Sequence, residues 1–208
     1  MAKTTLIHGD AIDHGQSADL ILTDPPFDLP GKQLARIITQ YDAPHLVLIT
    51  TMRQLLEFLP DTDWRLNFDF VIDGVMPKQA KNLRQPHYIH QTGVYLTQPG
   101  VRSVFNRKRR QRSDTFEDNG YWPTIFHAPR DRTQEHGHAK NHAAVTDLLG
   151  SFDISSVIDP FAGSGTTAFS AWELELPCVT IEKDRETFNM LKKSFKFLDL
   201  YNDVEVIE

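Results

Sequence analysis

The sequence predicts an α/β fold: a doubly wound, mostly parallel sheet with one antiparallel strand pair. Three observations carry this expectation. Residues 154–158 read as a short buried strand, 159–167 as a glycine turn, 168–176 as a helix and 178–181 as a second strand, with Glu182 at its end. Short apolar runs alternate with helically spaced segments through most of the chain, the pattern of helices laid on a parallel sheet. The β-like runs 65–72 and Tyr88–Thr97 have no helical pattern between them, which suits an antiparallel pair.

The glycine turn reads Asp159-Pro160-Phe161-Ala162-Gly163-Ser164-Gly165-Thr166-Thr167. Gly163 and Gly165 permit a tight turn and a close ligand approach. Ser164, Thr166 and Thr167 offer hydroxyls and can cap the helix. Glu182 lies about twenty residues on, where an acid meets ribose hydroxyls in nucleoside-binding sheets. The stretch fits an adenosyl-methionine site, a dinucleotide site or a plain structural turn. A phosphate-binding P-loop is disfavoured, because no lysine closes the turn.

Composition suits one soluble globular domain over residues 1–208. The net charge is −6, with 40% hydrophobic and 24% charged residues. No apolar stretch reaches the roughly 18 residues of a membrane span, and residues 1–10 lead into a strand rather than a signal peptide. The single Cys178, inside an apolar run, fits a reducing cytoplasm. Charge is strongly polarised. Residues 77–112 hold no Asp or Glu but contain Lys78, Lys81, Arg84, Arg102, Arg107, Lys108, Arg109, Arg110 and Arg112, leaving 13 basic against 28 acidic side chains elsewhere, a balance of −15. Such a basic run, with aromatics nearby, favours nucleic acid over a plain solvated loop.

In chain order, residues 6–10 form a strand ending in Gly9-Asp10-Ala11, with Asp10 where open sheets bind ligands. Residues 19–23 are the next strand and run into Asp24-Pro25-Pro26-Phe27. The two prolines keep this turn out of regular helix, so the Asp24 and Pro25 carbonyls remain available as acceptors beside the Asp24 carboxylate and the Phe27 ring. A planar, amino-bearing ligand fits such a cluster; a rigid turn with Phe27 in the core is the alternative. A helix is expected over 31–40, a strand over His45–Thr50, and a helix over 51–59 with Leu55, Leu56 and Phe58 inward. Strand 65–72 places Leu66, Phe68 and Phe70 on one face, and Asp73-Gly74 reads as a turn. A basic loop, 78–84, joins it to Tyr88–Thr97. Residues 101–120 read as an inserted basic recognition loop. Ile125 and Phe126 suit the core or a nucleic-acid wedge. His136 and His138 suggest metal only weakly, and no third ligand is evident. Helices over 142–149 and 185–198 and a strand over 204–207 complete the reading.

With both turns in view, the chain resembles the amino-methyltransferases of DNA, in the permuted β group where the catalytic motif precedes the cofactor motif. Asp24-Pro25-Pro26-Phe27 is similar to the catalytic Asp/Asn/Ser-Pro-Pro-aromatic motif, 159–167 to the cofactor motif, and Glu182 to the ribose-binding acid. His136-x-x-x-Lys140 is similar to a segment that encloses the methionine end of the cofactor, although Gly137, His138, Ala139 and Asn141 depart from it. The resemblance implies a Rossmann-like, circularly permuted methyltransferase fold. It implies S-adenosyl-L-methionine at Asp10, Ala11, Asp24, Lys140, Asp159, Phe161, Ala162, Gly163, Ser164, Gly165, Thr166, Thr167 and Glu182, with Asp24, Pro25, Pro26 and Phe27 catalytic. The implied reaction is methylation of adenine N6 on a base flipped from duplex DNA, because Asp at the head of the motif looks more like the adenine enzymes. Cytosine N4, an RNA substrate and a non-enzymatic nucleic-acid-binding protein are the alternatives. The nine basic residues of 77–112 are the expected phosphate contacts. Homodimerisation is a habit of the β group. A restriction-paired or solitary phage enzyme, in the bacterial cytoplasm, follows by analogy alone.

Overall fold

A computed structural model describes residues 3–78, 88–106, 124–127, 142–197 and 204–208. These form one nine-stranded sheet, with strands β1 (Thr4–His8), β2 (Leu20–Thr23), β3 (His45–Thr50), β4 (Arg65–Lys78), β5 (Tyr88–Thr97), β6 (Ile125–His127), β7 (Val157–Asp159), β8 (Cys178–Glu182) and β9 (Val204–Ile207). The spatial order is β6-β4-β5-β3-β2-β7-β8-β1-β9. All neighbouring pairs are parallel except β3–β5 and β4–β5. The expected doubly wound, mostly parallel sheet is therefore present, with the expected antiparallel pair as β4–β5 and a second antiparallel pairing, β3–β5, beside it. The strand common to both is β5.

The helices are α1 (Gly31–Ile38), α2 (Met52–Phe58), α3 (His142–Gly150), α4 (Thr166–Glu173) and α5 (Arg185–Phe197). Strand alternation sorts the core onto two faces of the sheet. Leu20, Leu22, Val47 and Ile49 join Val145, Leu148, Ala168, Phe188 and Leu191 on the face covered by α3, α4 and α5. Ile21, Leu46 and Leu48 join Leu34, Ile38, Leu55 and Phe58 on the face covered by α1 and α2. The central strands β2 and β3 are buried at every position, as strands covered on both sides must be.

Several expectations need correcting. Leu56 is 64% exposed, because the short α2 turns only Leu55, Phe58 and Gln54 inward. Leu66 is 55% exposed while Phe70 is buried. A register shift between Leu66 and Phe68 breaks the simple alternation that would have placed them together. Asp73-Gly74 is not a turn, since β4 continues to Lys78. Neither Ser164 nor Thr166 caps α4. Its N-cap is Gly165, with no side-chain cap, and those two hydroxyls lie 3.4 Å from each other. Ile125 is 46% exposed at the edge of the sheet.

The start of the expected 101–120 insertion is tied to the body. Val104 N–H donates to the Tyr95 hydroxyl at 3.2 Å, and Phe105 packs edge-on against both Phe68 and Phe152. Residues 107–120 lie outside the described residues, as does the 79–87 loop. Among the described residues, no helix is long and apolar enough to cross a membrane.

Candidate active site

Connections leave the sheet in opposite directions from β2 and β7. From β7 the chain passes through α4 to β8, and from β2 it passes through α1 to β3, on the other side. Adjacent strands whose connections diverge leave a crevice at their carboxyl ends, the usual ligand position in open α/β sheets. Thr23 ends β2, with Asp24 directly after it; Asp159 ends β7. Glu182 ends β8, and Gly9 and Asp10 follow β1. The sheet thus brings both motifs to one edge.

Hydrogen bonds lock them together. The Thr23 hydroxyl donates to Asp159 Oδ1 at 2.7 Å, with both side chains buried. The same oxygen accepts the Phe161 N–H at 3.0 Å. Glu182 Oε2 accepts the Gly163 N–H, and its Oε1 accepts the Asp184 N–H, each at 2.8 Å. The Glu182 carbonyl accepts from Gly9 N–H at 3.1 Å. Burial pushes the Glu182 carboxyl above its ordinary range, against those two N–H groups, which lower it. Asp10 is held below the ordinary range, chiefly by the Lys183 ammonium at 2.6 Å.

The two glycines of the turn serve different ends. Gly163 has φ +52°, and among the described residues a Cβ there would meet only the Phe161 carbonyl, at 3.9 Å, so no described side chain covers this stretch of backbone. Gly165 has φ +85°, and its Cβ would lie 2.1 Å from Leu191 Cδ1 on α5. Close packing of the start of α4 against α5, together with the left-handed backbone, rather than ligand approach, favours glycine there. Ala162 and Thr167 are buried, while Phe161, Ser164 and Thr166 are half-buried.

On the other side of the crevice, Asp24 is half-buried and Pro25 buried. Phe27 is 39% exposed, so it is not a core residue. Residues 26–29 form a turn closed by Leu29 N–H donating to the Pro26 carbonyl at 3.0 Å. Ala11 opens a short helical turn, residues Ala11–Asp13, capped by Asp10. The Tyr41 hydroxyl donates to the Ala11 carbonyl at 2.5 Å. Burial, with the charges of Asp159 and Asp10, pushes that phenol up and keeps it a donor.

Sequence reasoning missed Thr23, Tyr41, Gln54 and Lys183. Gln54 alone carried a signal: an amide on the inward stripe of α2, beside Leu55 and Phe58. Lys140, His136, His138, Lys81, Arg84, Arg107, Lys108, Arg109, Arg110 and Arg112 lie outside the described residues. Lys78 ends β4, on the carboxyl side of the sheet beyond the Thr50–Thr92 register. Arg102 is exposed beyond β5, whose end pairs Thr97 with His45 at the amino edge. The length of six-residue β3, about 17 Å, separates the two edges. Cys178 is buried and burial raises its thiol well above the ordinary value, so it offers no thiolate.

Solved structures share this fold. The chain resembles M1.HpyAVI, solved in complex with SAM, at 22% identity and TM-score 0.68, covering 91% of this chain and 98% of that one. It resembles PvuII DNA methyltransferase, described as cytosine-N4-specific, at 14% identity and TM-score 0.74, covering 100% and 95%. It also resembles TTHA0409 of Thermus thermophilus, assigned as a DNA modification methylase, at 16% identity and TM-score 0.71, over the whole of both chains. No protein-family model and no curated protein matches the sequence.

Proposed function

We propose that this chain is an S-adenosyl-L-methionine-dependent DNA amino-methyltransferase acting on adenine N6 of a flipped base in duplex DNA. The observation that carries the reading is the Thr23–Asp159 hydrogen bond, which joins the Asp24-Pro25-Pro26-Phe27 turn to the glycine-turn motif at one sheet edge. Similarity to solved DNA methyltransferases supports it through the shared fold.

The residues fit the cofactor. Gly163 offers a backbone that a side chain would obstruct, and Glu182, fixed by two N–H groups, still has lone pairs for ribose hydroxyls. Asp10, held by Lys183, is the acceptor nearest the Ala11 turn. When bound, the cofactor supplies an electrophilic methyl group on a sulfonium.

The chain's own residues prepare the acceptor. An exocyclic amine of a base is a poor nucleophile, because its lone pair is delocalised into the ring. The Asp24 carboxylate and the Pro25 carbonyl accept hydrogen bonds from its two N–H groups and favour a pyramidal nitrogen, stabilising the charge that grows there; after transfer the methylated amine gives one proton to Asp24 or to water. Phe27 stacks on the flipped base, worth about 1–3 kcal/mol if it behaves like other base–aromatic stacks. A base within a duplex is out of reach of such a site, so flipping is required. The basic residues of 77–112 other than Arg102, which lies at the opposite sheet edge, are the phosphate contacts of this proposal, and β4 ends at Lys78 on the same edge as Asp24.

The test is transfer of label from S-adenosyl-L-methionine to duplex DNA, followed by nucleoside digestion and mass analysis. N6-methyladenine is the expected product. N4-methylcytosine would correct the base and keep the mechanism; label in RNA alone, or none at all, would overturn the proposal.

A further inference from the structure

We infer that Gln54, on α2, is the positioning residue that holds the turn bearing Phe27; the inference rests on the methyl-transfer reading above. Residues 24–30 belong to no strand or helix, so their rigidity has to come from elsewhere. Gln54 is 2% exposed. A buried amide is tolerated only when its polar atoms are satisfied, and this one spends them on the turn. Its Nε2 donates to the Pro26 carbonyl at 3.0 Å and to the Leu29 carbonyl at 2.8 Å. Its Oε1 accepts the Thr50 hydroxyl at 2.6 Å. The Pro26 and Leu29 carbonyls fix which way the amide faces, because a flipped amide would set its oxygen against both.

The two anchored carbonyls stand at either end of the turn whose middle is Phe27 and Asp28. The flank is held as well. Glu57 Oε2 accepts the Gly31 N–H at 3.1 Å, and a Cβ on Gly31 would lie 2.4 Å from the Gln54 carbonyl oxygen, so the start of α1 is seated directly on the α2 backbone. The Pro26 carbonyl is committed to Gln54 and to Leu29 N–H, so the role of acceptor for a base amine falls to Asp24 and Pro25. Gln54 touches no reacting atom; it acts through the turn.

Gln54→Met keeps size and burial but removes both donors. Thr50→Val is the milder second variant, since it removes the brace on the amide oxygen while leaving both donors on the turn. Single-turnover transfer is measured at saturating S-adenosyl-L-methionine and saturating duplex DNA, with cofactor affinity by calorimetry. Misplacement of about 1 Å costs roughly 10²-fold in rate, so Gln54→Met is expected to slow transfer by about 10- to 100-fold, Thr50→Val by less, and both with unchanged cofactor affinity. An unchanged rate in Gln54→Met beside an active wild type would overturn the role of Gln54 alone. A parallel fall in cofactor affinity and rate would make Gln54 merely structural and would also overturn it. A wild type that transfers no methyl to any nucleic acid would instead remove the underlying reading, and this inference with it.

Discussion

Thr23→Val probes the joint between the two halves of the site. Thr23 is 1% exposed and Asp159 4%, and the hydroxyl reaches Asp159 Oδ1 at 2.7 Å. Valine fills nearly the same space, so no cavity opens; the loss is one buried hydrogen bond to a carboxylate. Such bonds are worth about 1.5–3 kcal/mol, and an apolar methyl against the carboxylate leaves its desolvation less compensated. At about 2–4 °C per kcal/mol for a chain of this size, the melting temperature should fall by roughly 3–12 °C. Urea unfolding followed by circular dichroism gives the free energy, with an unchanged m-value expected because the same surface is exposed. Cofactor affinity should weaken in parallel, since Asp159 Oδ1 also receives the Phe161 N–H that shapes the glycine turn. A stability loss below about 0.5 kcal/mol, the range of ordinary surface substitutions, would refute the claim that this bond joins the motifs.

Asp24→Ala should lower methyl transfer by at least about 10²-fold, the cost of removing one preorganised polar partner, with cofactor affinity retained; full turnover in the labelled-transfer assay would sink the catalytic assignment. Gly163→Ala and Gly165→Ala should separate. Both carry the strain of a left-handed backbone, but the first meets no close described neighbour and is expected to weaken cofactor binding in calorimetry more than the second, while the second also drives its Cβ against Leu191 and is expected to lower the melting temperature more; the opposite pattern would refute the distinction. Glu182 should leave a signature in the pH dependence of stability. Its folded-state pKa lies above the ordinary 4.5, so folding takes up a proton between the two values. The cost of burying the charge is present above the raised value and is relieved as pH falls toward 4.5. Wild type should therefore gain stability relative to Glu182→Gln across that window, and a flat difference in urea midpoints would count against it.

The parts legible in the sequence are those fixed by local chemistry. Two glycines in the 159–167 turn, two prolines after Asp24 and short apolar runs announce a strand-turn-helix at each motif, and the sheet supplies both. The failures have a common source in tertiary contact. Leu56 and Leu66 are apolar and well spaced, but no described residue packs over them closely enough to bury them. The Asp73-Gly74 dipeptide usually marks a turn, yet β4 runs on past it across a register shift to pair Lys78 with Tyr88 of β5. Glycine at 165 suggests room for a ligand, whereas its neighbour is Leu191, a residue 26 positions away that no local pattern connects to it. Gln54 and Tyr41 are hidden for the same reason: their partners, the Pro26, Leu29 and Ala11 carbonyls, are backbone atoms of distant loops.

The two motifs stand 136 residues apart in sequence at the Thr23–Asp159 contact, and the order in which the chain visits them has no bearing on the site. What matters is that β2 and β7 are neighbours whose connections diverge. Each motif is then the first turn after its own strand, one leading to α1 and the other to α4, and the crevice lies where those two connections diverge. A glycine turn with an acid downstream can hold a nucleoside without doing chemistry, and an Asp-Pro-Pro-Phe turn can be a rigid corner. Placed on adjacent strands and joined through Asp159, they set the Asp24-Pro25 turn beside Gly163 and Glu182, the juxtaposition on which the proposed methyl transfer depends. The α2 side chains that hold the Phe27 turn belong to the same proposal, since stacking a base on a loose turn would not fix the position of its amine.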